Sequence, residues 1–173
     1  MKKAFSLIEL LIVIVIIGVV YTLAVTNLQN VSKENFTPSL SNLKEYLISF
    51  LEDETKEVRL LCLDDCSECS IYRDEEKVKD IESFFDDSIE RYRYDFLQGP
   101  RQIRNDVYFN KEGQQEDVCF SFSVNKHLVA DQVIVVYKEK AYDYSPYFEQ
   151  PLRYDYLEEA VDAKEKLREE VMR

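Results

Sequence analysis

Glycine is nearly absent. Gly18, Gly99 and Gly113 are the only three in 173 residues, so no glycine-rich loop can be built to wrap a phosphate. Histidine is scarcer still. His127 stands alone, which leaves a catalytic triad one candidate base and no recognisable nucleophile elbow or partner. Positive charge is also short, with 22 Lys and Arg against 34 Asp and Glu and a formal net charge of −12. That balance speaks for solubility and against nucleic acid or anionic lipid as a direct ligand, although Arg91, Arg93, Arg101 and Arg104 form a local basic cluster. No internal repeat and no low-complexity tract is present. These absences argue against an enzyme and leave structural or binding roles.

What the chain does have is one long apolar run. From Phe5 to Val25 the only charge is Glu9, and Lys2 and Lys3 precede the run. A helix of that length spans roughly 32 Å, matching a bilayer core of about 30 Å. A secretory signal peptide would share the basic start, and Thr22-Leu23-Ala24 could serve as its cleavage site, but its apolar core is about 7–15 residues. A plain membrane anchor fits the length and gives no reason for Glu9. A carboxylate at the centre of a spanning helix costs about 2.5–3.5 kcal/mol, and less near an end.

The segment Ala4-Phe5-Ser6-Leu7-Ile8-Glu9-Leu10 resembles the N-terminal signature of type IV pilins and type II secretion pseudopilins. The resemblance implies cleavage of a short basic leader between Ala4 and Phe5 by a prepilin peptidase, and N-methylation of the new terminus at Phe5. Ala4 departs from the glycine usual before the cut. Glu9 takes the position of the family's hallmark acid, whose implied partner is the N-terminal amine of a neighbouring subunit, here Phe5. Such a pairing lowers the cost of burying both charges; the alternative is a glutamate snorkelling to the headgroups. Loss of the leader would remove two positive charges and leave −14. Lys2 and Lys3 mark the cytoplasmic end by the positive-inside rule, so the rest should lie outside the inner membrane, as a single-pass protein with a periplasmic or otherwise extracytoplasmic C-terminal domain. No proline occurs before Pro38, whereas many major pilins carry one just past the membrane stretch; that leans towards a minor pilin or pseudopilin.

Beyond the run, Leu40, Leu43, Leu47, Phe50 and Leu51 keep helical spacing. Thr37 before Pro38 reads as an N-cap followed by proline at the first helical position. Val58 to Leu63 and Ser70 to Tyr72 are strand candidates, whereas Val78, Ile81, Phe84, Phe85 and Ile89 recur at helical spacing. Asp106 to Asn110, Val118 to Val124 and Val133 to Tyr137 read as strands, with a turn at 111–114 and a further short strand after Lys140. The run Glu57–Leu63 straight after the helix, and Phe109-Asn110-x-x-Gly113, are loosely similar to minor pseudopilins of the GspH/FimT type. The charged tail carries Leu157, Val161, Leu167 and Val171 as a sparse helical stripe.

Cys62, Cys66, Cys69 and Cys119 make an even number, read as two disulfides outside the cytoplasm. Of three connectivities we favour Cys62–Cys119 across neighbouring strands and Cys66–Cys69 closing a turn. Zinc would need two tight pairs, and only Cys66-x-x-Cys69 is one. A redox-active Cys66-x-x-Cys69 is opposed by Asp64, Asp65 and Glu68, which raise a thiol pKa. Some pseudopilins bind calcium, but Asp64, Asp65, Glu68 and Asp74 match no calcium loop; no metal and no cofactor is assigned. Six of the twelve tyrosines, Tyr137, Tyr142, Tyr144, Tyr147, Tyr154 and Tyr156, mark either an interface or the cover of a sheet.

These readings assemble into an α+β, pilin-like chain. A long N-terminal helix, transmembrane then amphipathic, packs on an antiparallel β-sheet head followed by a C-terminal helix. The expected parts are a leader (1–4), a transmembrane segment (5–25), an amphipathic continuation (26–55), a β-rich head (56–153) and a C-terminal helix (154–173). The implied role is a minor pilin or pseudopilin in a type IV pilus, type II secretion pseudopilus or competence (DNA-uptake) filament. Its partners would be other pilin subunits, the prepilin peptidase/methyltransferase, a membrane assembly platform and inner-membrane lipid. The alternative is a membrane-anchored binding protein that does not polymerise.

Overall fold

A computed structural model describes residues 11–18, 37–104, 107–110, 113–146 and 150–172. The chain divides into two compact units, Met1–Thr37 and Pro38–Arg173. In the first, residues 11–18 form a helix, α1. Its residues Leu11 to Ile17 are each 47–61% exposed, so the helix is apolar on every side and calls for apolar surroundings. Among the described residues no helix is long and apolar enough to cross a membrane.

The second unit opens with a short helix, α2 (Leu43–Ile48). Leu40, Leu43 and Leu47 share one face and are buried. Its start differs from the expected cap at Thr37-Pro38. The Ser39 amide donates to Asn42 Oδ1 at 2.8 Å and Tyr46 N donates to Asn42 O at 2.9 Å, so the helix begins after Asn42. Within the described part of the expected 26–55 helix, α-helix covers only this stretch; residues 26–36 lie outside the described residues.

Among the described residues eleven strands follow: β1 (Glu57–Leu63), β2 (Glu68–Arg73), β3 (Glu76–Ile81), β4 (Glu90–Asp95), β5 (Gly99–Gln102), β6 (Tyr108–Phe109), β7 (Gln115–Glu116), β8 (Val118–Asn125), β9 (Ile134–Tyr137), β10 (Lys140–Asp143) and β11 (Leu152–Tyr154), then helix α3 (Leu157–Val171). The first sheet runs β3-β2-β1-β8, the second β11-β10-β9-β4-β5, and β6-β7 pair as a hairpin. Every strand pairing is antiparallel, which gives the α+β class expected from the sequence. The helical reading of Val78 to Ile89 is corrected. Residues Asp74 and Glu75 hold positive φ of 46° and 74° and turn the chain tightly from β2 into β3, where Ile81 pairs with Cys69 and Val78 falls at a register shift, and Phe85 and Ile89 are buried from loops. The Asp74 carboxylate takes the Lys56 and Glu57 amides at 3.0 Å each, which ties that turn to the start of β1.

Strand alternation builds the core. Val58, Leu60, Cys62, Ile71, Phe120, Phe122 and Val124 lie on one face of the first sheet, fully buried. They pack against Leu43 and Leu47 of α2 and against Val133, Val135 and Tyr144 from the second sheet and its flanks. Burying a side chain such as Phe122 contributes about 1.5–3 kcal/mol. On the far face of the second sheet a smaller cluster forms from Ile134, Ala141 and Ala160, with Tyr92, Tyr94 and Leu157 packed against it. The Lys164 ammonium meets the buried Asp143 carboxylate at 2.6 Å and fastens α3 to β10.

Candidate functional site

The residues that sequence reasoning weighted most, Ala4, Phe5 and Glu9, lie outside the described residues. What is described of their segment is α1, a helix whose apolar side chains from Leu11 to Ile17 are each about half exposed. An exposed apolar surface of this kind marks a contact with lipid or with another protein.

The four cysteines are all paired, and their connectivity corrects the favoured one. The bonds are Cys62–Cys69 and Cys66–Cys119. Register explains the first: Cys62 and Cys69 stand directly opposite each other on β1 and β2, with Cα atoms 4.1 Å apart. Cys66 sits in the β1–β2 turn at φ 66° and reaches Cys119 on β8, two strands away from β2. In the β1–β8 register Cys62 instead faces Phe120.

Of the acidic candidates, Asp65 and Asp74 serve the backbone. Asp65 Oδ1 accepts the Ser67 amide at 3.1 Å, and that bonding to Ser67 holds its carboxyl below the usual range. Among the described residues no group of His, Cys, Asp or Glu is placed to hold a metal ion. His127 lies in the exposed β8–β9 loop, its amide donating to Asn125 Oδ1 at 2.9 Å.

The basic cluster divides. Arg91 is half-buried, and its Nη1 donates to the Ser121 carbonyl at 2.5 Å, while Arg93, Arg101 and Arg104 are exposed. Beside Arg91, Asp131 accepts the Ser123 amide at 2.7 Å and the Ser123 hydroxyl at 3.1 Å. These two residues satisfy the outer edge of β8, which has no strand partner on that side. Burial pushes the Asp131 carboxyl up, against the pull of Ser123 and Arg91. The tyrosines mostly cover sheets: Tyr144 is buried with its hydroxyl donating to the Leu40 carbonyl, Tyr142 and Tyr137 back the main core, and Tyr156 is exposed.

One concavity was not legible beforehand. A groove of about 820 Å³ runs over the outer face of the first sheet, between Arg59, Leu61 and Tyr72 and the β6–β7 hairpin residues Tyr108 and Phe109. Burial and the neighbouring Tyr108 raise the Tyr72 hydroxyl to about 12. Its walls come from three separated segments, so no local pattern announces it.

Residues 1–25 match the prokaryotic N-terminal methylation motif. This match covers the segment in which the sequence resembles type IV pilins and pseudopilins. Nothing narrows it to the GspH/FimT type. No curated protein and no solved structure matches the chain.

Proposed function

We propose that this chain is a minor pilin or pseudopilin subunit. It inserts in the inner membrane through residues 5–25, carries Pro38–Arg173 on the extracytoplasmic side, and joins a filament through its N-terminal helix. The observation that carries the reading is the methylation motif over residues 1–25, continued by a helix apolar all round at residues 11–18. The two disulfides agree with an oxidising compartment. A secretion pseudopilus, a pilus and an uptake filament would all use this architecture, and the membrane platform and peptidase follow from any of them.

The groove against Tyr72 and Tyr108 favours a second reading, an anchored binding head that does not polymerise. The first reading starts from processing, which mass spectrometry of the mature chain tests. The expected N-terminus is an N-methylated Phe5. An intact Met1 chain from cells with an active peptidase, or cleavage after Ala24, would refute the pilin assignment.

A further inference from the structure

Helix α3 lies on the second sheet through small residues. Ala141 of β10 and Ala160 of α3 are both fully buried, and neither side chain holds helix and strand apart. Alternation puts Asp143 on the same face of β10 as Ala141, directly across from Ile134 of β9. Helical spacing puts Lys164 one turn after Ala160, on the same side of α3. The two alanines therefore bring two ionisable groups together beside the apolar cluster that Ile134, Ala141, Ala160 and Leu157 share. Lys164 Nζ stands 2.6 Å from Asp143 Oδ2, with the two side chains 15% and 2% exposed.

That burial separates this pair from the others. In Arg59–Glu57, Arg73–Glu52, Lys77–Asp80 and Lys140–Asp155 at least one side chain is 43% exposed or more, so water competes for both groups. At Lys164 and Asp143 little water enters, and the amine has a single carboxyl carbon beside it. The other carboxyl oxygen is held as well, since Asp143 Oδ1 accepts the Ser145 amide at 2.9 Å. An amine at one oxygen and an N–H aimed at the other meet the needs of acyl transfer. Such a transfer wants reacting atoms about 3–3.5 Å apart and a fixed donor for the developing oxyanion.

We propose that Lys164 and Asp143 condense to an amide, so that a covalent bond between their side chains fastens α3 to β10. The pair holds every atom the step requires. A proton passes from the ammonium to the carboxylate along their hydrogen bond, Lys164 Nζ attacks Asp143 Cγ, and negative charge gathers on Oδ1 against the Ser145 amide. The Cγ–Oδ2 bond then breaks. Oδ2 leaves as water with two protons of the former ammonium, and the third stays on the amide nitrogen. Tyr154 pairs with Ala141 across β10 and β11. Burial and then the Asp143 charge push its hydroxyl up, so it keeps a proton to relay from the nitrogen to the departing oxygen. The product is uncharged, which removes the cost of two buried ions, and the exclusion of water protects the bond from hydrolysis. Such a tie suits a helix whose stripe packs only in part, with Leu167 and Val171 exposed.

Mass spectrometry of the full-length chain, reduced, denatured and digested with trypsin, reads the bond directly. Residues 141–153 should appear joined to residues 154–166, lighter than the two together by one water, because trypsin does not cut after an acylated Lys164. Fragmentation should place the link between Asp143 and Lys164. In a Lys164→Arg chain, which keeps a cation beside Asp143, residues 141–153 should be recovered free and at full mass. Quantitative cleavage after Lys164 in the parent chain would overturn the proposal. So would a water lost from residues 141–153 alone, which is a succinimide with no partner. A link that moves to Lys166 in the Lys164→Arg chain would show condensation without a site, and overturns it too.

Discussion

Asp131 shares with Arg91 the work of a missing strand along the outer edge of β8. Its carboxylate holds the Ser123 amide at 2.7 Å and its own amide donates to the Ser123 carbonyl at 3.0 Å, so an edge that would otherwise be open is closed. The position carries a cost that depends on pH. Burial raises the carboxyl's pKa in the folded state, with Arg91 opposing and Glu57 adding to the shift. A raised folded value means that the group's contribution is fully present below the unfolded carboxyl pKa of about 3.9 and is lost as pH climbs through the folded value. Asp131→Asn keeps an acceptor for Ser123 and removes the charge. Thermal unfolding from pH 4 to 7 should show the variant gaining on the parent as pH rises. A melting-temperature gap that is flat, or that moves the other way, would contradict this account. Neither the burial nor the bonding partner was readable in Ala130-Asp131-Gln132, because both come from a strand eight residues back that only the folded chain brings alongside.

Among the elements, the disulfide frame and α3 differ in what holds them. Cys62–Cys69 links residues already paired across β1 and β2, with a sequence separation of 7, whereas Cys66–Cys119 ties the β1–β2 turn to β8 over a separation of 53. On a loop-entropy scale the shorter loop is worth about 2.5 kcal/mol and the longer about 4 kcal/mol. Replacing Cys66 and Cys119 together by serine should therefore lower denaturant stability more than replacing Cys62 and Cys69. Urea titrations of the two double variants check the order, and the reverse order would mean that the local bridge governs the fold. Residues Glu57–Leu63 and Val118–Asn125 were legible as strands because apolar side chains alternate or run together there. The strand Glu90–Asp95 had a signal as well, tyrosine alternating with charge, that passed unread. β3 was misread, since its Val78 and Ile81 fit a helical period and only pairing with β2 decides the matter. The stripe on α3 was visible, yet only its start is covered: Leu157 packs against the smaller cluster while Leu167 and Val171 stand exposed.

At the scale of the whole molecule the decisive residue is Glu9. If it pairs with the amine of a neighbouring Phe5, Glu9→Gln leaves the head folded and eases insertion, because a carboxylate has left the apolar run. Cleavage should proceed, since Ala4-Phe5 and Lys2-Lys3 are intact. Only filament incorporation should drop, because the neighbouring amine is then buried without its partner. Crosslinking to partner pilins in cells reads this out, and a variant that crosslinks and functions like the parent would return the chain to the anchored-binder reading. The proposal is read from the first 25 residues, which match the methylation motif, and the reason such a signal can be local is physical: a bilayer imposes length and polarity on a contiguous segment. The scarcity of glycine and histidine likewise argued against a phosphate loop and a triad without any fold. Tertiary structure alone decided which cysteines meet, which acids serve the backbone, where the groove opens and which apolar residues remain uncovered. Each of these depends on register and on which segments lie side by side, and strand pairing joins residues from Cys66 to Cys119 that no local pattern relates.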